Sequence, residues 1–250
     1  MSTRQRWQDR LARVWSTWEL CAPNWKRFWW RRAQLAEATF WEARDTRERN
    51  RQLVAIGERH KMWLFRLNAL VRHGWTQQLD WSGLVVADIG SGPTGAWIAI
   101  EGARLVLAID PLMHHYKEWY LLPQGDYIVA KGEALPLVDG CLDIEISTNA
   151  LDHCENPGEV IAEIRRALRP GGVFLLSVRL RSRMEVAWAR VKGYLKLLIG
   201  QLEPHPHSFT TFTLTYLLAK HSFKLLGHEV ATCKEHIFVV VPDDRMDYHG

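Results

Sequence analysis

Val85-Val86-Ala87-Asp88-Ile89-Gly90-Ser91-Gly92-Pro93-Thr94-Gly95 decides the fold of this chain. An apolar run rich in β-branched residues ends in glycines spaced G-x-G-x-x-G, the pattern of a buried strand that turns sharply into a helix. Glycine permits the turn, lets the backbone approach a ligand closely and leaves helix N–H groups aimed at it. Ten residues past Gly95, Leu105-Val106-Leu107-Ala108-Ile109-Asp110 is a second apolar strand, and it ends in an acid. A carboxylate there has two oxygens that accept from both hydroxyls of a ribose. Together the two stretches read as a nucleoside-cofactor site. An ordinary tight strand-to-helix turn carries the same glycines, so Asp88 and Asp110 are what separate the two readings.

Asp88 also bears on the kind of ligand. A carboxylate two residues before Gly90 repels the pyrophosphate of a dinucleotide and attracts a cationic amino-acid moiety. Asp110 suits either class. A nicotinamide dehydrogenase is therefore the weaker reading.

Further blocks follow in order: Gly132-Glu133-Ala134-Leu135-Pro136, then Leu142-Asp143-Ile144-Glu145-Ile146, then Leu168-Arg169-Pro170-Gly171-Gly172-Val173. With Asp88-x-Gly90-x-Gly92-x-x-Gly95 and Asp110 they resemble the class I S-adenosylmethionine-dependent methyltransferases, within the broad group that holds many small-molecule enzymes. The resemblance spans roughly residues 83–242. It implies an α/β fold with a Rossmann-like sheet of seven strands, mostly parallel with an antiparallel C-terminal edge pair, preceded by N-terminal helices. It also implies S-adenosylmethionine as cofactor. Asp88, Gly90, Ser91, Gly92 and Gly95 would then cradle the methionine part, Asp110 the ribose and Glu133 the adenine amino group, with a backbone contact from Ala134 to the ring and Asn149 among the cofactor contacts. The family more often has Asp where this chain has Glu133.

Composition is that of a globular protein of 250 residues, enough for one large α/β domain and an accessory segment. Cys21, Cys141, Cys154 and Cys233 are scattered and form no C-x-x-C pair, so neither a zinc knuckle nor a disulfide framework is indicated. A reducing, cytoplasmic setting is the expectation. No uninterrupted apolar run is long enough to span a bilayer, and the arginine-bearing N-terminus lacks a signal-like apolar stretch. The net charge of +4 hides an asymmetry: residues 1–80 hold sixteen Lys and Arg against eight Asp and Glu, and ten of the thirteen Trp lie at or before Trp81.

That basic, Trp-rich part reads as helical. Trp7, Leu11, Trp15 and Trp18 share one helical face, as do Trp29, Ala33, Ala36 and Phe40. Pro23-Asn24 breaks the two runs, with Asn24 the expected cap of a helix starting at Trp25, and a third helix is expected over 46–73. This gives a helical segment 1–80 and a cofactor domain 81–250. From Gly83 short apolar strands alternate with helices, which implies a parallel sheet with right-handed crossovers. Strands are expected near 84–89, 104–109, 126–130, 142–147 and 172–179, and helices near 94–101, 112–120 and 157–168. Asn156-Pro157 supplies a cap and first turn for the last of these. A lid-like helical insertion follows at about 181–221, with helices at 183–199 and 213–221, and the apolar runs 223–230 and 236–241 close the sheet as an antiparallel pair.

Ligands of open α/β sheets bind beyond the carboxyl ends of the strands. After the fourth strand comes Ser147-Thr148-Asn149-Ala150-Leu151-Asp152-His153-Cys154, where His153 is a candidate general base for a protonated oxygen or nitrogen acceptor. Its other reading is a hydrogen-bonding tie that fastens the loop. A subset of quinone-biosynthesis O-methyltransferases holds a divalent metal with an acid and an acid-His pair at this place. Asn149 replaces the first acid here, which weakens the grip on a hard cation, and no metal is assigned. His207, in Glu203-Pro204-His205-Pro206-His207, is the second base candidate, because similar segments cover the substrate pocket in the resembling family. The expected partner is a small-molecule or lipid-like acceptor. Arginines interleaved with tryptophans leave two further partners open, nucleic acid and a membrane surface. An RNA methyltransferase and a non-catalytic cofactor-binding scaffold are the competing readings.

Overall fold

A computed structural model describes residues 23–55, 57–198 and 205–243. The expected helix through Trp7 and Trp18 lies outside the described residues. Helix α1, Pro23–Glu42, begins two residues before the expected Trp25, and Asn24 lies inside it. Proline at the first position suits a helix start, where an N–H would have no partner. The expected helix over 46–73 is three pieces: α2 (Arg44–Ala55), α3 (Glu58–Leu67) and α4 (Ala69–Arg72). Gly57, at φ 70, breaks the first from the second.

The sheet comprises β1 (Val85–Ile89), β2 (Leu105–Ile109), β3 (Asp126–Ile128), β4 (Leu142–Thr148), β5 (Leu168–Arg179), β6 (Phe223–Val230) and β7 (Glu235–Pro242). Their order is β3-β2-β1-β4-β5-β7-β6. All pairs are parallel except β5 with β7 and β6 with β7, so the seven-stranded sheet with an antiparallel C-terminal edge is as expected. The intervening helices are α5 (Met113–Trp119), α6 (Pro157–Ala167), α7 (Arg183–Leu198) and α8 (Thr211–Lys220). Asn156 caps α6 by accepting from the Gly158 N–H, as its Asn-Pro start requires.

The expected helix over 94–101 is absent. Only a short 3₁₀ turn, Ala96–Ala99, follows the glycine loop. The Asp88 carboxylate accepts from the N–H groups of Ala96 and Trp97, the donors at the start of this turn, and holds it against β1.

Strand alternation puts two cores on the two faces of the sheet. Val85, Ala87 and Ile89 pack with α6 and α8 through Val160, Ile161, Ile164, Leu214 and Leu218. On the other face Val86, Ile144, Ile146, Val173 and Val239 pack against Trp63, Leu67 and Leu70 of α3 and α4, and against Trp81. Helices α3 and α4 therefore cover this face of the sheet. Strand order reverses between β1 and β4, so the crevice beyond their carboxyl ends is where this topology places a ligand.

Candidate active site

A cavity of about 490 Å³ opens at that crevice. One wall is the backbone of Gly90, Ser91 and Gly92, with Asp110 at the end of β2 and Glu133 beyond β3. Gly90 has φ +69, and a Cβ there would collide with that of Ala150. Glycine at this position is thus required by conformation and by space. Asp110 is 6 % exposed, accepting from the Leu112 N–H at 2.8 Å and from the Gly92 N–H at 3.0 Å. Burial pushes its carboxyl up to about 6, against the pull of those two N–H groups. Glu133 Oε1 accepts from the N–H groups of Glu155 and Asn156, at 2.6 and 3.0 Å, which moors the loop before α6.

The opposite wall comes from α1. Trp30, Gln34, Glu37 and Trp41 recur at helical spacing and face the cavity, joined by Phe40, Trp63 and Tyr116. Trp41 meets Tyr116 and Tyr120 edge-on, and the Tyr120 hydroxyl donates to the Trp41 carbonyl at 2.8 Å. Lys131 lies 3.5 Å from the Trp30 ring centre and 3.0 Å from Glu155.

A polar corner joins the walls. The Trp41 indole N–H donates to Glu37 Oε1 at 2.6 Å, and Glu37 Oε2 lies 3.1 Å from His153 Nδ1. His153 Nε2 lies 3.8 Å from Asp152 Oδ1, while Asp152 Oδ2 is 2.9 Å from His205 Nδ1. The two imidazole centres are 4.2 Å apart. Burial works against the Glu37 and Asp152 charges, yet the neighbouring histidines hold both carboxyls below their ordinary value. Burial likewise opposes a charge on His153, but Glu37 and Asp152 outweigh it and raise its pKa.

Among the residues expected at the site, Gly90, Ser91, Gly92, Asp110, Glu133, Asn149 and His153 line this cavity. Four others lie outside its lining. Asp88 is fully buried behind the loop, Gly95 packs against Ser91 and Asp88, and Ala134 is exposed with its N–H spent on the Lys131 carbonyl. His207 faces the Cys154 carbonyl, 3.0 Å from Nε2. His205, two residues earlier, lines the cavity instead. Spacing identifies the H-P-H segment but does not say which imidazole turns inward. Glu37 is not among the expected site residues: Trp30, Gln34, Glu37 and Trp41 form a second helical face with the same period as Trp29, Ala33, Ala36 and Phe40, and period alone does not choose between them.

Residues 87–176 match the family model described as a methyltransferase domain. A methyltransferase of Mycobacteroides abscessus, described as uncharacterized, is 36% identical over 107 residues, covering 38% of this chain and 39% of that protein. One from Mycobacterium ulcerans is 34% identical over 100 residues with the same coverage. The chain thus spans about two fifths of the length of these relatives. Among solved structures, a Haloferax volcanii methyltransferase in complex with the Trm112 activator superposes with a TM-score of 0.56 at 14% identity, over 81% of this chain and 96% of that one. The Burkholderia thailandensis 1,6-didemethyltoxoflavin-N1-methyltransferase, solved with S-adenosylhomocysteine, gives 0.53 at 16% identity over 84% and 90%. Residues 87–176 thus resemble a methyltransferase domain, and the fold around them is the one these methyltransferase structures share.

Proposed function

We propose that this chain transfers a methyl group from S-adenosylmethionine to a small-molecule or lipid-like acceptor with a protonated oxygen or nitrogen. One observation carries the choice of cofactor: the place where a phosphate would sit is already filled. In a dinucleotide fold the helix after the glycine loop turns free N–H groups toward a pyrophosphate. Here the N–H groups of Ala96 and Trp97 go to Asp88, and that of Gly92 goes to Asp110. A phosphate finds few donors there and two buried carboxylates behind them. Ribose hydroxyls are better served, because each Asp110 oxygen that accepts one N–H keeps a lone pair for another donor.

Bound S-adenosylmethionine supplies an already activated sulfonium methyl. The chain then has to align the acceptor and take its proton. Trp30, Phe40, Trp41 and Tyr116 give an apolar, aromatic wall for the acceptor, and the corner of Glu37, His153 and His205 receives the proton. His207, turned to the Cys154 carbonyl, has no part in this reading. A concave cavity walled by aromatic side chains favours a small acceptor over RNA, and cavity-lining residues at both the cofactor and acceptor ends favour an enzyme over a scaffold.

Calorimetry tests the cofactor half. The chain is expected to bind S-adenosylmethionine and S-adenosylhomocysteine in preference to NAD, and Asp110→Ala to weaken both by at least about tenfold, which is ~1.4 kcal/mol. Unchanged affinity in Asp110→Ala, or preference for NAD, ends the assignment.

A further inference from the structure

Asp152 is 4 % exposed, and its Oδ1 has no hydrogen-bond partner. A buried carboxylate oxygen without a donor is costly, so what faces it matters. It faces His153 Nε2, at 3.8 Å, beyond hydrogen-bond reach. The other nitrogen of that ring, Nδ1, is 3.1 Å from Glu37 Oε2. Glu37 faces Nδ1 at ion-pair distance, but Nδ1, like Asp152 Oδ1, makes no hydrogen bond among the described residues; with the ring's hydrogen on Nδ1, toward that carboxylate, the neutral ring leaves its lone pair on Nε2. Nε2 and Oδ1, each with a lone pair, are then 3.8 Å apart. His205 Nδ1 lies 2.9 Å from Asp152 Oδ2 and donates its hydrogen to it; moving that hydrogen to Nε2 frees the Nδ1 lone pair beside the same carboxylate. One atom from each of Asp152, His153 and His205 lies within 4.8 Å of the others.

We propose that Asp152, His153 and His205 bind one divalent transition-metal ion of the zinc class at the acceptor end of the cavity. Two imidazole nitrogens with one carboxylate oxygen suit zinc, cobalt or manganese better than magnesium or calcium, which prefer all-oxygen sites. Bonds of roughly 2.0–2.2 Å to such an ion place neighbouring donor atoms about 3.4 Å apart, within the range these atoms already occupy. Three protein ligands leave a position open, and His153 and His205 both line the cavity, so the open position faces it. Glu37 is the outer carboxylate that fixes the His153 ring, with Trp41 in turn holding Glu37. The third ligand comes from His205, in the segment leading into α8, and not from Asn149 in the loop after β4. An ion held by both imidazoles would replace them as proton acceptors in the methyl-transfer reading and leave Glu37 in that role; metal uptake is measured without cofactor or acceptor, so the two readings fail separately.

The test uses the full chain, stripped with a chelator, dialysed and titrated with zinc alone by calorimetry and with cobalt by visible absorption. One equivalent is expected, with the intense absorption of a low-symmetry, four-coordinate cobalt ion. His205→Ala and Asp152→Asn should each weaken uptake at least tenfold, and zinc should raise the melting temperature of the wild type but not of His205→Ala. His205 is only part-buried, so its variant keeps the question answerable if Asp152→Asn fails to fold. Absence of stoichiometric uptake overturns the proposal. So does uptake that survives His205→Ala but is lost in Asn149→Ala, or in His236→Ala, which breaks the His228–His236 pair on β6 and β7.

Discussion

Glu145 is the residue whose chemistry fits its place least. It lies in β4 between Ala87 and Phe174, and neither carboxyl oxygen has a hydrogen-bond partner. Burial pushes its pKa well above the usual value, with Arg166 pulling back and Glu163 adding to the rise. The folded chain therefore keeps a proton that the unfolded chain releases in the ordinary carboxylate range, and stability falls as pH rises between the two values. Replacing the group by an apolar one of similar volume removes the desolvation cost. Glu145→Met is expected to stabilise the chain at pH 7 by about 1–3 kcal/mol. Thermal unfolding reads this as a rise of several degrees. A lower melting temperature would mean that the acid is held by a partner its surroundings do not reveal.

At the scale of elements, the turn after β1 depends on one carboxylate. Asp88 is fully buried, and burial pushes it up to about 7 against the N–H groups of Trp97 and Ala96 that favour its charge. An aspartate in the unfolded chain titrates near 3.8, so from about pH 4 to 7 the fold binds the extra proton and stability is lost as pH rises. Asp110, raised to about 6, adds to the loss over the lower part of that window. In Asp88→Asn the amide oxygen still accepts from Trp97, but no charge forms. Urea denaturation at pH 5 and pH 8 should show a smaller pH difference for this variant than for the wild type, by at most about 3 kcal/mol. Equal differences would show that Asp88 does not titrate in the window.

Legibility of the other elements follows the same logic. The strands were readable because apolar runs of β-branched residues state their own burial, and α6 was readable from Asn156-Pro157. The helix expected at 94–101 was not, because the turn at Ala96–Ala99 is set by its packing between β1 and the α3 layer, which local periodicity does not carry. Among site residues, the glycines and Asp110 follow from local backbone needs. Glu37 and His205 reach the cavity only because α1 and the segment before α8 arrive there from opposite ends of the chain. No spacing rule links residues 37, 153 and 205.

For the molecule as a whole, the question is whether the basic N-terminal segment, residues 1–80, is a detachable module. Its charge argues less for a nucleic-acid face once the pairs are known. Arg66 makes a bidentate contact to Glu235, at 2.6–2.9 Å, and Arg72 pairs with Glu229, so two of the cations bind α3 and α4 to the C-terminal strands. The Trp63 indole donates to the Thr94 carbonyl at 2.9 Å, next to the glycine loop. Leu67, Ala69 and Leu70 are completely buried against the sheet. Exposing the large apolar side chains of that layer costs roughly 1.5–3 kcal/mol each. A few of them exhaust the ~5–15 kcal/mol by which a domain is ordinarily stable. A chain restricted to residues 81–250 is therefore expected to lose its cooperative thermal transition by circular dichroism and to bind a hydrophobic dye. Should that piece melt cooperatively and still bind S-adenosylmethionine, the first 80 residues would be a separable module, and an RNA acceptor would become the stronger reading.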